Sequence, residues 1–123
     1  IVQLSEEIKE RQRAEDGLKQ LARTDPLTGL FNRRHFFEIA GYEFAKAIRH
    51  QRPLSAIIFD VDLFKDINDT FGHVVGDQVL IHIGALLQSN IRKTDIAARY
   101  GGEEFILLLP ETDTLGAKIL ASS

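Results

Sequence analysis

Residues 105–109, Phe-Ile-Leu-Leu-Leu, are the longest uninterrupted apolar run in the chain, and the four residues before them, Gly101, Gly102, Glu103 and Glu104, have the opposite character. Five residues fall far short of the roughly 20 that a helix needs to cross a bilayer. A short apolar run bounded by turn residues reads instead as a buried strand, and Gly-Gly between "DIAARY" and "EEFILLL" reads as a two-residue hairpin turn. Paired carboxylates at the entrance to such a strand therefore need an explanation.

The rest of the chain supplies the partners of that strand. "LSAIIFDVD" (54–62) follows a proline, is rich in β-branched and aromatic residues, and predicts a central strand. Asn32 predicts the N-cap of a helix over 33–49, with Phe36, Phe37, Ala40, Phe44 and Ile48 near one face. Val75, Val79, Ile83 and Leu87 recur at intervals of four and predict a second long helix over 75–90. "LFKDINDTFG" reads as a turn of helix and a loop, and a further helix is expected from about Thr112. The order helix, strand, helix, hairpin, helix predicts an α/β sandwich with helices packed on a largely antiparallel sheet. "RTDPLTGLFNRR" carries turn chemistry at Asp25-Pro26 and Thr28-Gly29, so a compact domain is expected over 23–123. Residues 1–22 lack proline and favour helix. Ile1, Leu4, Ile8, Arg11, Glu15, Leu18 and Ala22 alternate in steps of three and four, a heptad-like seam with two charged members.

Composition excludes several classes. With 123 residues, 44% hydrophobic and 27% charged, the chain suits one globular domain and an appended element. A net charge of -3 without a basic tract argues against a nucleic-acid coat. The absence of cysteine removes disulfides, thiolate ligands and a cysteine nucleophile. There is no secretory signal pattern. Because it opens on Ile1 and stops in mid-pattern at "AKILASS", the chain is expected to be a piece of a longer protein.

Strand alternation predicts that Asp60 and Asp62 share one face at the end of "FDVD", and at least one of Glu103 and Glu104 joins them if the two strands lie side by side. Two like charges ~4 Å apart cost on the order of 4 kcal/mol at an effective dielectric of ~20, so such a cluster calls for a cation or raised pKa values. Carboxylates and backbone carbonyls suit Mg²⁺ or Mn²⁺, and Mg²⁺ held this way usually shares its shell with substrate phosphates. His35, His50, His73 and His82 are scattered and read as surface or packing residues. No P-loop or protein-kinase signature is present.

Three motifs in unbroken order, "RTDPLTGLFNRR", "FDVDLFKDINDTFGHVVGD" and "RYGGEEF", resemble the GGDEF family of diguanylate cyclases, in the GGEEF variant of the signature. The resemblance covers residues 23–120. It implies a fold like the nucleotidyl cyclase and polymerase palm, and condensation of two GTP into cyclic di-GMP with release of pyrophosphate. It further implies that Asp60, the carbonyl of Val61 and Glu103 hold Mg²⁺, with Glu104 beside them. Asn68 and Asp77 match the guanine readers. Lys65 and the amides of Leu63 and Phe64 match the phosphate cradle, and Gly101 and Gly102 the close approach of the hairpin to the nucleotide. Arg92 and Asp95 match an R-x-x-D site for inhibition by the product. The resemblance also implies a catalytic homodimer, an upstream sensory domain acting through residues 1–22, a cytoplasmic setting, and further strands after the last helix. A non-catalytic module that binds GTP or cyclic di-GMP and signals through contacts is the alternative.

Overall fold

The computed structural model describes residues 2–117, together with the side chains of all of these except residues 2–5 and 16–21. Helix α1 (Val2–Leu21) is followed by the short strand β1 (Phe31–Asn32), helix α2 (Arg33–His50), strand β2 (Leu54–Asp60), helices α3 (Phe64–Phe71) and α4 (His73–Asn90), and strands β3 (Ile96–Arg99) and β4 (Glu104–Pro110). A further helix opens at Thr114. The seam positions Ile1, Leu4 and Leu18 lie outside the described side chains, while Ile8 is 53% exposed.

The sheet order is β1-β3-β4-β2, with β1 parallel to β3 and the other two pairings antiparallel. The apolar run lies in β4, between β2 and β3, which is why it does not alternate: both of its faces are covered. Phe105, Leu107 and Leu109 meet Leu30, Leu80 and Ala97 under α3 and α4. Leu108 meets Phe36, Ile96 and Ala98 under α2. Phe105 and Leu109 are fully buried, so truncating Phe105 to alanine would cost about 3–5 kcal/mol.

Asn32 caps α2 as the sequence predicts. Its Oδ1 accepts from the His35 amide at 2.8 Å, while its Nδ2 donates to the Ala22 carbonyl at 2.9 Å, so one side chain both starts α2 and ties down the segment after α1. Three elements depart from expectation. β2, expected as a central strand, lies at an edge of the sheet among the described residues, because its one hydrogen-bonded neighbour there is β4. β1 was not legible because two residues carry no periodicity. "LFKDINDTFG", expected as one turn and a loop, contains the eight-residue helix α3, which ends where Gly72 turns the chain at φ 89.

Candidate functional site

The two carboxylate-bearing chain segments meet at one end of the sheet. Asp60, the last residue of β2, sits opposite Glu104, the first of β4. The Val61 amide then donates to the Glu103 carbonyl at 3.0 Å, which carries the pairing one step past the strand. Residues directly opposite in an antiparallel pair have Cβ atoms about 4.5–5.5 Å apart, so Asp60 and Glu104 are neighbours on one face. Asp60 is exposed and Glu103 and Glu104 are half-buried. None of the three carboxylates has a hydrogen-bond or ion-pair partner among the described residues.

Asp62 lies beyond the strand, exposed in the turn. β2 stops at Asp60 and the chain turns, so the strand alternation expected to align Asp62 with Asp60 no longer applies. The turn ends at Leu63, which adopts the left-handed region at φ 57 and starts α3 without offering a side-chain cap. The first amides of α3, those of Phe64 and Lys65, therefore begin immediately beyond the carboxylates, where a helix terminus favours an anion. Lys65 is exposed on the same turn.

The hairpin is also wider than a two-residue turn. β3 ends at Arg99 and β4 begins at Glu104, the Tyr100 and Gly101 amides both donate to the Glu104 carbonyl, and neither Gly101 nor Gly102 has positive φ. What Gly101 supplies is room, since a Cβ there would lie 3.0 Å from Glu104 Oε1. Arg99 holds the loop: its guanidinium donates to the carbonyls of Gly101 and Gly102 and pairs with Asp25 at 3.1 Å. Burial pushes the Asp25 carboxyl up, but hydrogen bonds from Thr28 and the Arg99 cation outweigh that and leave it below its ordinary value. On the other side, Arg33 stacks its guanidinium over the Tyr100 ring at 4.3 Å. From the sequence Asp25 reads only as a turn residue, and Arg33 and Arg99 carry no site role. The signal available was an acid in the turn before β1 and a base before the glycines, which spacing alone does not connect.

Asn68 and Asp77 come from adjacent helices, α3 and α4, and Asn68 touches Gly76, the residue before Asp77. Asp77 is exposed and Asn68 half-buried. Arg92 and Asp95 lie in the loop between α4 and β3. The Asp95 side chain has no exposure at all and accepts from the Arg92 amide at 3.0 Å, Nε at 3.1 Å and a terminal guanidinium nitrogen at 2.9 Å. This is a bidentate pair between a buried carboxylate and a half-exposed guanidinium, and not the fully exposed ion pair that a bare R-x-x-D suggests. The guanidinium also donates to Thr112 Oγ1 at 2.6 Å, and its hydrogen bonds and pairing with Asp95 raise the Arg92 pKa. Arg92 borders a cavity of about 590 Å³ whose lining includes the cations Lys46, Arg52 and Lys93, from two separate chain segments that the sequence reading did not assemble, together with His50.

A sheet covered by helices, with unpartnered carboxylates where a central hairpin meets a neighbouring strand and a free helix terminus beside them, defines a nucleotidyl cyclase-like domain. Residues 22–123 match the family model described as "Diguanylate cyclase, GGDEF domain", and the chain belongs to that family. It is 47% identical over 93 residues to the response regulator PleD of Caulobacter vibrioides, covering 76% of this chain and 20% of PleD. The GGDEF domain of DgcB from Caulobacter crescentus, solved in complex with c-di-GMP, superposes with a TM-score of 0.79 at 34% identity, covering 81% of this chain and 58% of that one. The active GGEEF domain of a diguanylate cyclase from Vibrio cholerae superposes with a TM-score of 0.71 at 46% identity, over 73% of this chain and 58% of that one. The chain thus spans about a fifth of the length of PleD and somewhat over half of the solved domains.

Proposed function

We propose that this chain is the catalytic part of a diguanylate cyclase that joins two GTP molecules into cyclic di-GMP. The observation that carries the reading is the register Asp60↔Glu104 with the Val61–Glu103 hydrogen bond, which brings the acidic ends of both motifs together with no internal counter-charge.

Among the described residues no three acidic or histidine side chains converge as a self-sufficient metal cage. The donor set still suits a hard cation shared with substrate, because Mg²⁺ commonly takes only one or two carboxylates from the protein and completes its shell with phosphate and water. Asp60, Glu103 and the Val61 carbonyl would hold it, and bound there it neutralises charge that develops on the phosphates. The amides of Leu63 and Phe64 and the Lys65 ammonium meet the phosphate oxygens, fixing the α-phosphorus for in-line attack by the 3′-hydroxyl of the second GTP. Asp77 accepts from guanine N1–H and N2–H, and Asn68 pairs with the N3 edge. Glu104, half-buried beside Asp60, completes the acidic end.

One chain offers one such site, so a two-fold symmetric product calls for two copies with their hairpins opposed, and residues 1–22 are the element through which an upstream sensory domain would set that arrangement. Product inhibition fits the Arg92 corner, whose cavity carries four Lys or Arg side chains against Glu43 and Glu111. Among the described residues no helix is long and apolar enough to cross a membrane. Incubating the intact protein with GTP and Mg²⁺ and following cyclic di-GMP by chromatography tests the proposal. Formation of the product supports it, and GTP binding without product would establish the non-catalytic alternative.

A further inference from the structure

Among the described residues, the buried side-chain polar atom without a hydrogen-bond partner is Asn68 Oδ1. Such atoms are rare because each forfeits hydration without recompense, so its surroundings need a reason. Those surroundings are Gly76. A Cβ built on Gly76 would stand 1.9 Å from Asn68 Oδ1 and 3.0 Å from Cγ, while its next neighbour, Phe64 Cζ, is at an ordinary 3.4 Å. Asn68 is thus the obstacle that excludes a side chain at 76.

Backbone conformation does not explain this glycine. Gly76 lies inside α4 and is not among the positive-φ residues, so any L-residue could adopt its dihedrals, and glycine is a poor helix former. Gly72, with φ 89, is the residue at this corner that conformation requires. The two helices are already tied through the backbone: the Gly72 amide donates to the Asn68 carbonyl at 2.8 Å and the Gly76 amide to the Gly72 carbonyl at 3.2 Å. The bare Cα of Gly76 lets the Asn68 amide oxygen come close to the turn of α4 that carries Asp77.

We propose that Gly76 is a positioning residue for guanine recognition, acting through Asn68: the missing side chain lets the amide oxygen rest inward against α4, which turns the amide NH₂ outward to the purine edge and sets it beside the Asp77 carboxylate. This rests on the reading above that Asn68 and Asp77 meet the base. A methyl group at 76 rotates or expels the amide and separates the two readers, although neither reader has been altered.

The test is a double-mutant cycle on the intact protein, with GTP as the ligand, reading KM and kcat in the cyclase assay and the thermal midpoint of each variant. Asn68→Ala is expected to raise KM for GTP about tenfold, the factor for one lost hydrogen bond of ordinary strength. Gly76→Ala is expected to raise KM by a comparable factor with a smaller change in kcat. In the Asn68→Ala background, where the methyl group has room, Gly76→Ala should add no more than about twofold. Unchanged KM in Gly76→Ala overturns the proposal, and so does a second full tenfold loss in the double variant, since the glycine would then act independently of Asn68. If Gly76→Ala does not fold, the double variant decides. A thermal midpoint near that of Asn68→Ala locates the clash at the amide and supports the proposal, whereas an unfolded double variant makes Gly76 a purely structural residue and overturns it. Unchanged KM in Asn68→Ala would remove Asn68 as a reader and this proposal with it, an outcome distinct from failure of Gly76→Ala alone.

Discussion

Asp60 and Asp95 are the same side chain in opposite circumstances. Asp95 has no exposed side-chain surface and is saturated by three hydrogen bonds from Arg92. Asp60 is exposed, faces Glu104 across the strand pair, and has no partner among the described residues. A buried carboxylate whose counter-charge comes from three residues away in the same loop holds the protein together. A group of carboxylates without a counter-charge adds repulsion to the folded state and is useful only to something that arrives. The Asp95 carboxylate is satisfied within its own loop, with the Arg92 guanidinium still half exposed, while the Asp60 end has no internal partner among the described residues and under the proposed function is completed by a ligand.

The largest effect that follows is on turnover at the open end. Asp60→Ala or Glu103→Ala should each lower cyclic di-GMP formation by about 10²–10³-fold, corresponding to several kcal/mol of lost charge stabilisation at ~1.4 kcal/mol per tenfold. The same variants should unfold at the wild-type temperature or slightly above it, because a repulsive charge has gone. Wild-type turnover in either, or a large drop in thermal midpoint, would break the contrast by making these carboxylates structural.

At the closed corner the two partners should separate by readout. Arg92→Ala should relieve inhibition by cyclic di-GMP, raising the inhibitory concentration about tenfold or more while the uninhibited rate, measured below the melting range, stays within about twofold; loss of one charge-assisted contact of ~1.5–3 kcal/mol sets the scale, and the thermal midpoint should fall because the buried Asp95 loses its two guanidinium donors. Inhibition at the wild-type product concentration would move the inhibitory site elsewhere. Asp95→Ala should lower stability by about 2 kcal/mol in urea unfolding, since hydrogen bonds to a charged group are worth ~1.5–3 kcal/mol. The cost stays below that of leaving a buried ion unpaired because the abandoned Arg92, 56% exposed, can turn to water. A change under about 0.5 kcal/mol would mean that the pair is worth no more than an exposed one.

The strands and long helices were legible because burial imposes periodicity or its absence: β4 reads as an unbroken apolar run, and α2 announces its start through Asn32. The sequence offers the pairing of the two acidic strands only as a condition, and the register that sets Asp60 opposite Glu104 comes from the fold. β1, two residues in a parallel pairing, owes its existence to β3 and has no local signature. The end of β2 was misjudged because alternation was extended through Asp62, whereas Leu63 takes a left-handed conformation that nothing about leucine advertises. The hairpin is wider than expected for a related reason: Gly-Gly reads as a two-residue turn, whereas Gly101 provides space for Glu104 and both glycines offer carbonyls to Arg99. Chemistry-bearing side chains near a motif could be named as candidates from the sequence, whereas the contact of Asp25 with Arg99, far apart in the chain, and the close approach of Asn68 to Gly76 between two helices required the fold.

The smallest expected effect lies at Asp25, which joins features of both regions: like Asp95 it is paired, and like Asp60 it belongs to the hairpin end. Its carboxylate accepts from the Thr28 amide and hydroxyl at 2.9 and 2.8 Å and from Arg99, whose other nitrogens hold the carbonyls of Gly101 and Gly102. The ion pair therefore braces the loop that precedes Glu103 against the turn that follows α1. Asp25→Asn keeps the shape and can still accept from Thr28, but loses the charge facing Arg99, so stability should fall by about 0.5–1 kcal/mol at pH 7. The pH dependence has a definite sign. With the folded-state pKa held below the unfolded value of about 3.9, the charge contributes fully above that value and its contribution fades as pH falls through the lowered one. The stability gap between wild type and Asp25→Asn should therefore be constant from pH 7 down to about 5 and narrow in the acid range near and below 3.9. A gap that instead widened on acidification would mean that the Asp25 carboxyl is stabilised in its protonated form, and the brace between Arg99 and the turn would then depend on something other than charge.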